Sequence, residues 1–370
     1  MSSTSTGSTA QGQELLEAAR SGDEDAFARL VDPHRGELHA HCYRMLGSMH
    51  DAEDALQDAL LRAWKGLSGL EKQSALRAWL YKICTNTCLD AIAKRPKRVL
   101  PVDYGPSTDP HDGPGEPVVE SVWIEPYPDE QLAVEDGYAS PEASYEQREA
   151  VELAFIAALQ LLPANQRAAL ILREVLGFSA QEVADSLDTS VASINSALQR
   201  ARKTVDEKLP EQSQQETLRT LGDDGLRDVV EGYMTAMKSG NVDAVVSMLA
   251  DDAVWSMPPA TVWYRGTEEI IEFLKVGPLS GDWRWSHIPA HSSGQAAVGS
   301  YHWDPESETY LPFALDMLTL EGPKIKAITS FIVRTTDVDA EASRRWPEHP
   351  LDEEMAHTVF ERAGLPASLD

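Results

Sequence analysis

Residues 179–202 read SAQEVADSLDTSVASINSALQRAR, a stretch that predicts two helices joined by a tight turn. Ser179 and Glu182 have the spacing of a capping box, in which each side chain accepts a hydrogen bond from the backbone N–H of the other residue. The first helix is therefore expected to begin after Ser179 and to end near Leu187. Apolar residues then recur at helical spacing and define the buried side of the second helix: Val191, Ile194, Leu198, Ala201 and Val205.

The outward side of this second helix carries amides, hydroxyl groups and cations. Such groups bind base edges and phosphates when a helix lies in the major groove of DNA. Spacing alone leaves a generic helix pair as an equal alternative. The residues predicted to contact DNA here are Ser193, Asn195, Ser196, Gln199, Arg200 and Lys203.

Another helical region precedes this one, because the apolar residues between positions 11 and 98 follow helical spacing. Within residues 51–65 they form one apolar stripe, and the opposite face is acidic. That face is either the solvated surface of a core helix or a docking surface for a basic partner. Its candidate docking residues are Asp51, Asp54, Gln57 and Asp58.

A helix predicted over residues 74–93 ends in a basic cluster. Cations complement the dipole at a helix C-terminus, which accounts for Lys94 and Arg95 but not for the basic residues that follow Pro96. Since neutralising a phosphate releases condensed counterions, the cluster predicts local contact with a nucleic acid.

Composition restricts the classes of function. The chain has 370 residues, with 32 Lys and Arg against 60 Asp and Glu and a net charge of −28. This charge argues against a membrane surface and against gripping DNA by bulk charge. No apolar run is long enough to span a bilayer. Cys42, Cys84 and Cys88 lack further ligands at metal-site spacing, so we expect buried thiols in a reducing cytoplasm and neither a metal nor a cofactor.

The chain is expected to divide into seven segments. These are a disordered tail (1–10), a helical domain (11–98), an acidic, Pro-rich linker (99–144), a second helical domain (145–209), a polar linker (210–224), an α+β domain (225–337) and a C-terminal tail (338–370). Trp123 and Tyr127 are unusual in a solvated spacer, which favours a docking segment over a local turn, and we expect both residues to have a pocket or regulatory role.

Both helical domains resemble the extracytoplasmic-function (ECF) sigma factors. In the first domain, DAEDALQDALLRAW (51–64), WLYKICTN (79–86) and Asp90 are similar to region two of that family. In the second domain, LLPANQRAAL (161–170), FSAQEVA (178–184) and NSALQRAR (195–202) are similar to region four. The sequence departs from the family pattern at Asn195 and Ala197, where many members have basic residues, and this implies weaker binding to phosphates.

The resemblance implies two partners, core RNA polymerase and promoter DNA. The acidic face of residues 51–65 would bind the polymerase, and loop 66–73 would correspond to the family's pocket for a flipped-out base. Region four would read the upstream promoter element. From region two, the residues implied to face promoter DNA are Arg77, Lys82, Asn86, Lys94 and Arg95.

Residues 225–337 resemble the SnoaL or ketosteroid-isomerase-like α+β cone, with matching parts at 226–249, 252–259, 264–270 and 325–331. Such a cone encloses an apolar pocket. The residues expected to line or close it are Trp255, Met257, Trp263, Trp283, Trp285, Trp303 and Phe313. The candidate acid or base residues are Asp252, His287, His302 and Asp316, and no pair among them has diagnostic spacing. We therefore expect a regulatory domain, acting through contact or through a small-molecule ligand, rather than an enzyme, and the alternative is a domain that only packs.

The sequence thus predicts a multidomain protein with two all-α sigma domains and an α+β cone. The first hypothesis is a cytoplasmic sigma factor whose activity the cone modulates. The alternative is a helix-turn-helix regulator that places a ligand-sensing or enzymatic cone on DNA. Co-elution with core polymerase and promoter-specific transcripts distinguish the two.

Overall fold

The computed structural model describes residues 4–112, 122–131, 148–210, 212–335 and 349–370, with side chains from residue 12 onward. These residues form two compact units. The first contains residues 4–97, 131 and 158–208, and the second contains the other described residues. Within these ranges, no helix has the length and apolar character needed to cross a membrane.

The N-terminal part of the first unit contains five helices: α1 (Thr4–Arg20), α2 (Glu24–Val31), α3 (Arg35–Leu46), α4 (Met49–Gly66) and α5 (Leu76–Ile92). Helix α1 begins within the segment predicted as a disordered tail. Side-chain caps set two of the starts: Asp23 Oδ1 accepts a hydrogen bond from Ala26 N at 2.9 Å, and Ser48 Oγ accepts one from Asp51 N at 3.1 Å. Gly47 ends α3 with a φ of 71°, a conformation that suits a residue without a Cβ atom.

The later helices of this region include the predicted helix-turn-helix. They are α6 (Leu153–Leu161, of which residues 153–157 belong to the second unit), α7 (Ala164–Leu170, followed by a π-helical turn at Ile171–Val175), α8 (Ala180–Ser186) and α9 (Val191–Asp206). Ser179 N donates to Glu182 Oε2 at 2.8 Å and Glu182 N donates to Ser179 Oγ at 3.2 Å, which confirms the capping box. Asp188, in the turn before α9, has a φ of 48°. The predicted buried side of α9 is confirmed at Ile194, Leu198, Ala201 and Val205, whereas Val191 is half-buried.

Arg167 is a buried cation that joins the two helix groups of the first unit. Its Nη1 atom donates to the backbone oxygen of Met45, near the end of α3. Its Nη2 atom donates to the backbone oxygens of Gln160 and Leu162 at 3.1 and 3.2 Å. Because the last carbonyls of a helix lack partners within the helix, Arg167 satisfies groups that burial would otherwise leave unpaired.

The second unit is built on a six-stranded sheet with the order β2-β1-β6-β5-β4-β3. Its strands are β1 (Leu249–Ser256), β2 (Trp263–Arg265), β3 (Trp285–Ser292), β4 (Gln295–Asp304), β5 (Thr309–Glu321) and β6 (Lys324–Ile332). Strands β1 and β6 are parallel, and the other neighbouring pairs are antiparallel. Besides the single-turn helix Pro101–Tyr104, the helices that follow in this unit are α10 (Gln214–Lys238), α11 (Val242–Met248), α12 (Gly266–Val276) and α13 (Glu353–Val359). Buried residues from α10, α12 and the sheet form one apolar core.

Helix α10 begins inside residues 210–224, which the sequence predicted as a linker. Gln214 is buried and pairs with Leu320 of β5 through two hydrogen bonds, of 2.9 and 2.7 Å. Glu152 accepts the backbone N–H groups of Gln214 and Gln215 at 3.1 and 2.9 Å. The helix is broken at Gly222, where φ is 67°. The polar composition of this segment predicted a spacer. The polar groups can be buried instead because these partners satisfy their hydrogen bonds.

The first described part of the predicted linker 99–144 also packs in the second unit. We call residues 98–112 and 122–130 the strap. Arg98 is buried, and its Nη1 atom donates to Trp123 O at 2.6 Å. Val99 N donates to Val122 O at 2.8 Å, so two segments of the strap pair with each other. Trp263 Nε1 of β2 donates to Gly105 O at 2.9 Å.

The second segment of the strap lies along the turn between β3 and β4. Tyr127 is fully buried, and its backbone oxygen accepts hydrogen bonds from Ser292 Oγ at 2.9 Å and Ser293 N at 2.6 Å. Asp129 Oδ1 accepts the backbone N–H of Gly294 at 2.7 Å. Trp123 and Tyr127 are therefore packed within the second unit, as expected for a docking segment. Their regulatory role stays a prediction.

The described part of the C-terminal tail is also built into the second unit. Leu369 and Tyr310 exchange two backbone hydrogen bonds, of 2.8 and 2.9 Å. Tyr301 OH donates to Pro366 O at 2.9 Å. Leu365 packs so closely over Gly299 that a Cβ atom there would lie 2.7 Å from a leucine methyl group. The tail thus continues the domain predicted to end at residue 337.

Candidate functional site

The outward face of α4 carries a row of exposed side chains. Asp54, Gln57 and Asp58 are exposed, and Leu61 follows them with 58% of its surface accessible. Helical geometry places these four residues on one side of α4. An exposed leucine beside acids gives a mixed apolar and acidic surface that suits a protein partner. Leu61 was not among the predicted residues, although its spacing from Asp54 and Asp58 indicates the same face.

Asp51 does not belong to this exposed face, which corrects the prediction that it is a docking residue. Its side chain is only 5% exposed and forms an ion pair with Arg95, a residue predicted to contact DNA. Since a buried carboxylate without a partner is costly, the pair stabilises the packing of the start of α4. Periodicity could not show this, because the partner lies 44 positions later and is brought there by the tertiary fold.

Two other basic residues predicted to face DNA have acidic partners within the first unit. Arg77 Nε donates to Glu37 Oε2 at 3.2 Å, and its guanidinium lies 4.9 Å from the centre of the Tyr81 ring. Lys82 Nζ donates to Asp188 Oδ1 in the helix-turn-helix at 2.9 Å. Each cation must exchange its carboxylate for a phosphate before it can bind DNA, so both roles stay predictions.

The outward side of α9 is exposed at every position predicted to contact DNA: Ser193, Asn195, Ser196, Gln199, Arg200 and Lys203. From the other predicted set, Lys94 is exposed and Asn86 is half-buried. Arg202 forms an ion pair with Glu174 at 2.5 Å. The face of α9 therefore presents the amides and hydroxyls required for base edges and few free cations, while contact with DNA stays a prediction.

The three cysteines are buried free thiols, as predicted. Hydrogen bonding to Cys42 and burial raise the pKa of the Cys84 thiol well above its usual value. Because the thiolate is the reactive form, this environment makes the cluster unreactive. In the described ranges, no group of three or more His, Cys, Asp or Glu side chains could hold a metal ion.

The second unit contains a cavity of about 170 Å³ beside α12 and the sheet. Of the residues predicted to line it, five do so: Trp255, Met257, Trp283, Trp285 and Phe313. Tyr264 and Phe273 complete the aromatic lining and were not predicted. The apolar spacing of Phe273 with Ile270 on α12 was the signal that could have indicated its inward side.

Trp263 and Trp303 do not line this cavity, which corrects two predictions. The indole of Trp263 is bonded to Gly105 of the strap, a segment that the sequence suggested was largely unpacked. The ring of Trp303 lies under the guanidinium of Arg284 at 4.5 Å and packs against Tyr310 at 5.1 Å. Residue type alone could not separate these tryptophans from the lining ones, because their partners are set by strand pairing.

Polar side chains form a row across the cavity face of the sheet. Asp316 Oδ2 accepts hydrogen bonds from Ser300 Oγ at 2.7 Å and Tyr233 OH at 3.1 Å, and Asp316 Oδ1 accepts one from Ser330 Oγ at 2.5 Å. Burial raises the pKa of Asp316, and the three hydroxyl donors offset part of this effect. On β3, His287 lies directly opposite Ser300 of β4.

His287 also lines the cavity, and both of its ring nitrogens are buried without a hydrogen-bond partner. Burial lowers its pKa to about 4, so the ring is neutral at neutral pH. Of the four candidate acid or base residues, only His287 and Asp316 line this cavity. Asp252 is exposed and bonded to Lys326 at 2.5 Å, and His302 packs against the ring of Trp285.

Comparison with known proteins identifies the three parts of the chain. Residues 30–98 match the family Sigma-70 region 2, residues 152–205 match Sigma-70 region 4, and residues 230–328 match the SnoaL-like domain. The ECF RNA polymerase sigma factor SigG of Mycobacterium tuberculosis is 40% identical over 322 residues, which cover 85% of this chain and 83% of SigG. The chain belongs to the ECF sigma factors. This ECF sigma factor is also 28% identical over 197 residues to the sigma-E factor of Escherichia coli, covering 53% of this chain and 93% of sigma-E.

A solved structure supports the fold. The crystal structure of the Mycobacterium tuberculosis ECF sigma factor SigJ matches with a TM-score of 0.50 and 23% identity, covering 80% of this chain and 93% of SigJ. The predicted sigma regions and SnoaL-like domain are confirmed. As a sigma factor, the protein binds core RNA polymerase and promoter DNA and directs initiation, so the hypothesis of an ordinary helix-turn-helix regulator is set aside.

Proposed function

We propose that this ECF sigma factor acts in the cytoplasm and that its SnoaL-like domain modulates promoter-specific initiation through the strap. One observation carries the proposal: the chain that follows region two is held by the SnoaL-like domain. The N-terminal part of the first unit ends at Lys97, and Arg98, the last residue of the region-two match, is already buried in the second unit.

The strap contacts give this coupling a physical basis. The bonds from Trp263 to Gly105, from Ser292 to Tyr127 and from Gly294 to Asp129 all end on the strap. Each stabilises the docked strap by about 1 kcal/mol, and more where the acceptor is charged. A change at the turn between β3 and β4 therefore alters the chain that connects the promoter-binding regions. A coupling of this kind changes the equilibrium constant of the coupled step by about fivefold or more.

The SnoaL-like domain is proposed to act by binding rather than by catalysis. Asp316 already accepts hydrogen bonds from three protein hydroxyls, which hold it in place and restrict its use as a base. Among the described lining residues of the cavity there is no second carboxylate. This arrangement suits recognition of a ligand.

The test is in vitro transcription with matched core polymerase and a variant that weakens the strap, Trp263→Phe with Asp129→Ala. The indole bond to Gly105 and the carboxylate bond to Gly294 are both lost, while most of the packing is kept. We expect the transcript yield to change by about fivefold with polymerase affinity unchanged.

Trp303→Phe is the matched control, because Trp303 belongs to the same domain and packs against Tyr310 and Arg284, outside the strap. It should leave the yield unchanged. Hydrogen exchange of residues 98–112 reports whether the strap was released. A released strap with wild-type transcript yield would contradict the proposal.

A further inference from the structure

We propose that the cavity of the SnoaL-like domain binds a small organic cation, an ammonium group on an apolar body, through Asp316 and His287. This inference rests on the proposed regulatory function and names the class of ligand that would act there. It follows from four features of the cavity: its charge, its free hydrogen-bonding groups, its aromatic lining and its surroundings.

The charge of the cavity favours a cation. Asp316 is the single acid among the described lining residues, and none of them is Lys or Arg. Three hydroxyl groups stabilise its carboxylate, but hydroxyls supply no net charge. An ion that is buried without a counter-charge has a desolvation penalty of several kcal/mol. A ligand with a positive charge offsets this penalty when it binds beside Asp316. An anionic ligand would be repelled.

The free hydrogen-bonding groups of the polar row are mainly acceptors. The hydroxyl protons of Tyr233, Ser300 and Ser330 are all directed at Asp316. Trp255 Nε1 donates to Ser330 Oγ at 3.0 Å. Asp316 Oδ1 accepts one hydrogen bond and retains a free lone pair. The neutral imidazole of His287 offers one further acceptor nitrogen, and its other nitrogen carries the one N–H of the row that is not directed at Asp316. A ligand that satisfies Asp316 and the acceptor nitrogen of His287 must therefore donate, as an ammonium does.

The aromatic lining suits both parts of such a ligand. The rings of Trp255 and Phe273 are 5.5 Å apart, and the ring of Trp285 lies 5.1 Å from that of Phe313. The faces of aromatic rings attract cations, most strongly where water is excluded. A cavity of about 170 Å³ is close to the volume of apolar cavities that take up a benzene-sized molecule.

An acidic cleft adjoins the cavity. Pro110 of the strap lines both spaces. The other side of the cleft is lined by Glu268, Glu269 and Glu272 of α12, of which Glu272 pairs with Lys275 at 3.1 Å. Asp109 lies beside Pro110 in the same cleft. Acidic walls concentrate cations near the cavity and speed their association.

The test compares three probes of one shape and different charge on the wild-type protein: benzylammonium, benzyl alcohol and benzoate. Binding is measured by calorimetry and by the fluorescence of the cavity tryptophans, Trp255, Trp283 and Trp285. We expect benzylammonium to bind at least about tenfold more tightly than benzyl alcohol and benzoate to bind weakest. Equal affinity for the charged and the neutral probe, or no binding of benzylammonium, overturns the proposal without any substitution being needed.

A pair of variants locates the charge that is responsible. Asp316→Asn keeps the size of the side chain and removes its charge, so the tenfold preference for benzylammonium should disappear. Asp304→Asn is the control, because this half-buried acid lies at the end of β4 outside the cavity lining and should keep the preference. A preference that survives Asp316→Asn also contradicts the proposal.

Failure here is distinguishable from failure of the proposed function. If no cation binds but the strap variant changes transcript yield, the regulatory function stands and the ligand class is wrong. If benzylammonium binds but transcription is insensitive to the strap variant, the cavity assignment stands and the regulatory function fails.

Discussion

His41 lies in the core of the first unit, with its Nε2 atom 2.9 Å from Thr85 Oγ1 and its ring 5.2 Å from that of Tyr81. Burial lowers its pKa from 6.5 to about 3, and the charge of Arg44 acts in the same direction. The folded chain therefore keeps the ring neutral, whereas the unfolded chain takes up a proton below pH 6.5. The stability from this group is complete above pH 6.5 and is lost as the pH falls towards 3.

We expect His41→Asn to reduce the acid sensitivity of the first unit. On going from pH 7 to pH 5, this histidine alone should lower the free energy of unfolding of the wild type by about 2 kcal/mol, a contribution that the variant lacks. Urea unfolding at both pH values measures the difference. His50→Asn is the control, because the His50 side chain is 64% exposed. If the two variants lose equal stability on acidification, the burial of His41 is not the cause.

For single residues, the residue type predicted the chemistry of the side chain more accurately than its location in the fold. Trp255 and Phe313 were expected in the pocket and line it, but Trp263 and Trp303 were expected there too and lie elsewhere. Asp316 was one of several equivalent acid or base candidates in the sequence. Only the pairing of β4, β5 and β6 brings the two serines to its carboxylate, and such pairing between distant segments leaves no local signal.

The exposed face of α4 is the surface that we predict to bind core RNA polymerase. We expect Asp54→Lys with Asp58→Lys to lower the affinity for core RNA polymerase by about 100-fold, since charge pairs at interfaces are each worth several kcal/mol. Fluorescence anisotropy with labelled sigma factor measures this affinity.

Glu14→Lys with Glu17→Lys makes the same change of charge at two exposed acids of α1 and should leave binding unchanged. Circular dichroism checks that both variants fold. Wild-type affinity in a folded α4 variant would show that this face does not bind the polymerase.

Elements with their own apolar stripe and caps were predictable, and elements that depend on distant partners were not. The spacing of residues 51–65 and the capping box at Ser179 predicted α4 and α8 within a few positions. The start of α10 and the strap have polar or Pro-rich sequences that favour linkers. Gln214 is buried only because Leu320 and Glu152 satisfy its polar groups, which no local pattern indicates.

For the whole molecule, net charge limits how the protein can bind DNA without polymerase. The chain carries a net charge of −28, and the exposed face of α9 offers Arg200 and Lys203, with Arg202 paired to Glu174. We expect the free protein to bind promoter DNA weakly, with a slope of log affinity against log salt no steeper than about −3. Filter binding over a salt series measures the slope.

Arg200→Ala should make that slope shallower by about 0.9, as expected for one lost phosphate contact. Gln199→Ala is the comparison, because it removes an exposed amide without changing charge and should lower affinity at all salt concentrations equally. A slope much steeper than −3 in the wild type would mean that basic residues outside α9 contribute most of the contacts.

The strap and the tail also bear on how such a fused protein can change during evolution. The SnoaL-like domain is not one continuous piece of gene, because residues 98–112, 122–130 and 349–370 belong to the same unit as the sheet. A nonsense mutation after residue 211 would therefore not restore a simple two-domain sigma factor. It would leave Ile124 and Tyr127, both fully buried in the intact protein, exposed on an orphaned segment prone to aggregation and proteolysis. We therefore expect the domain and the strap to be retained or lost together.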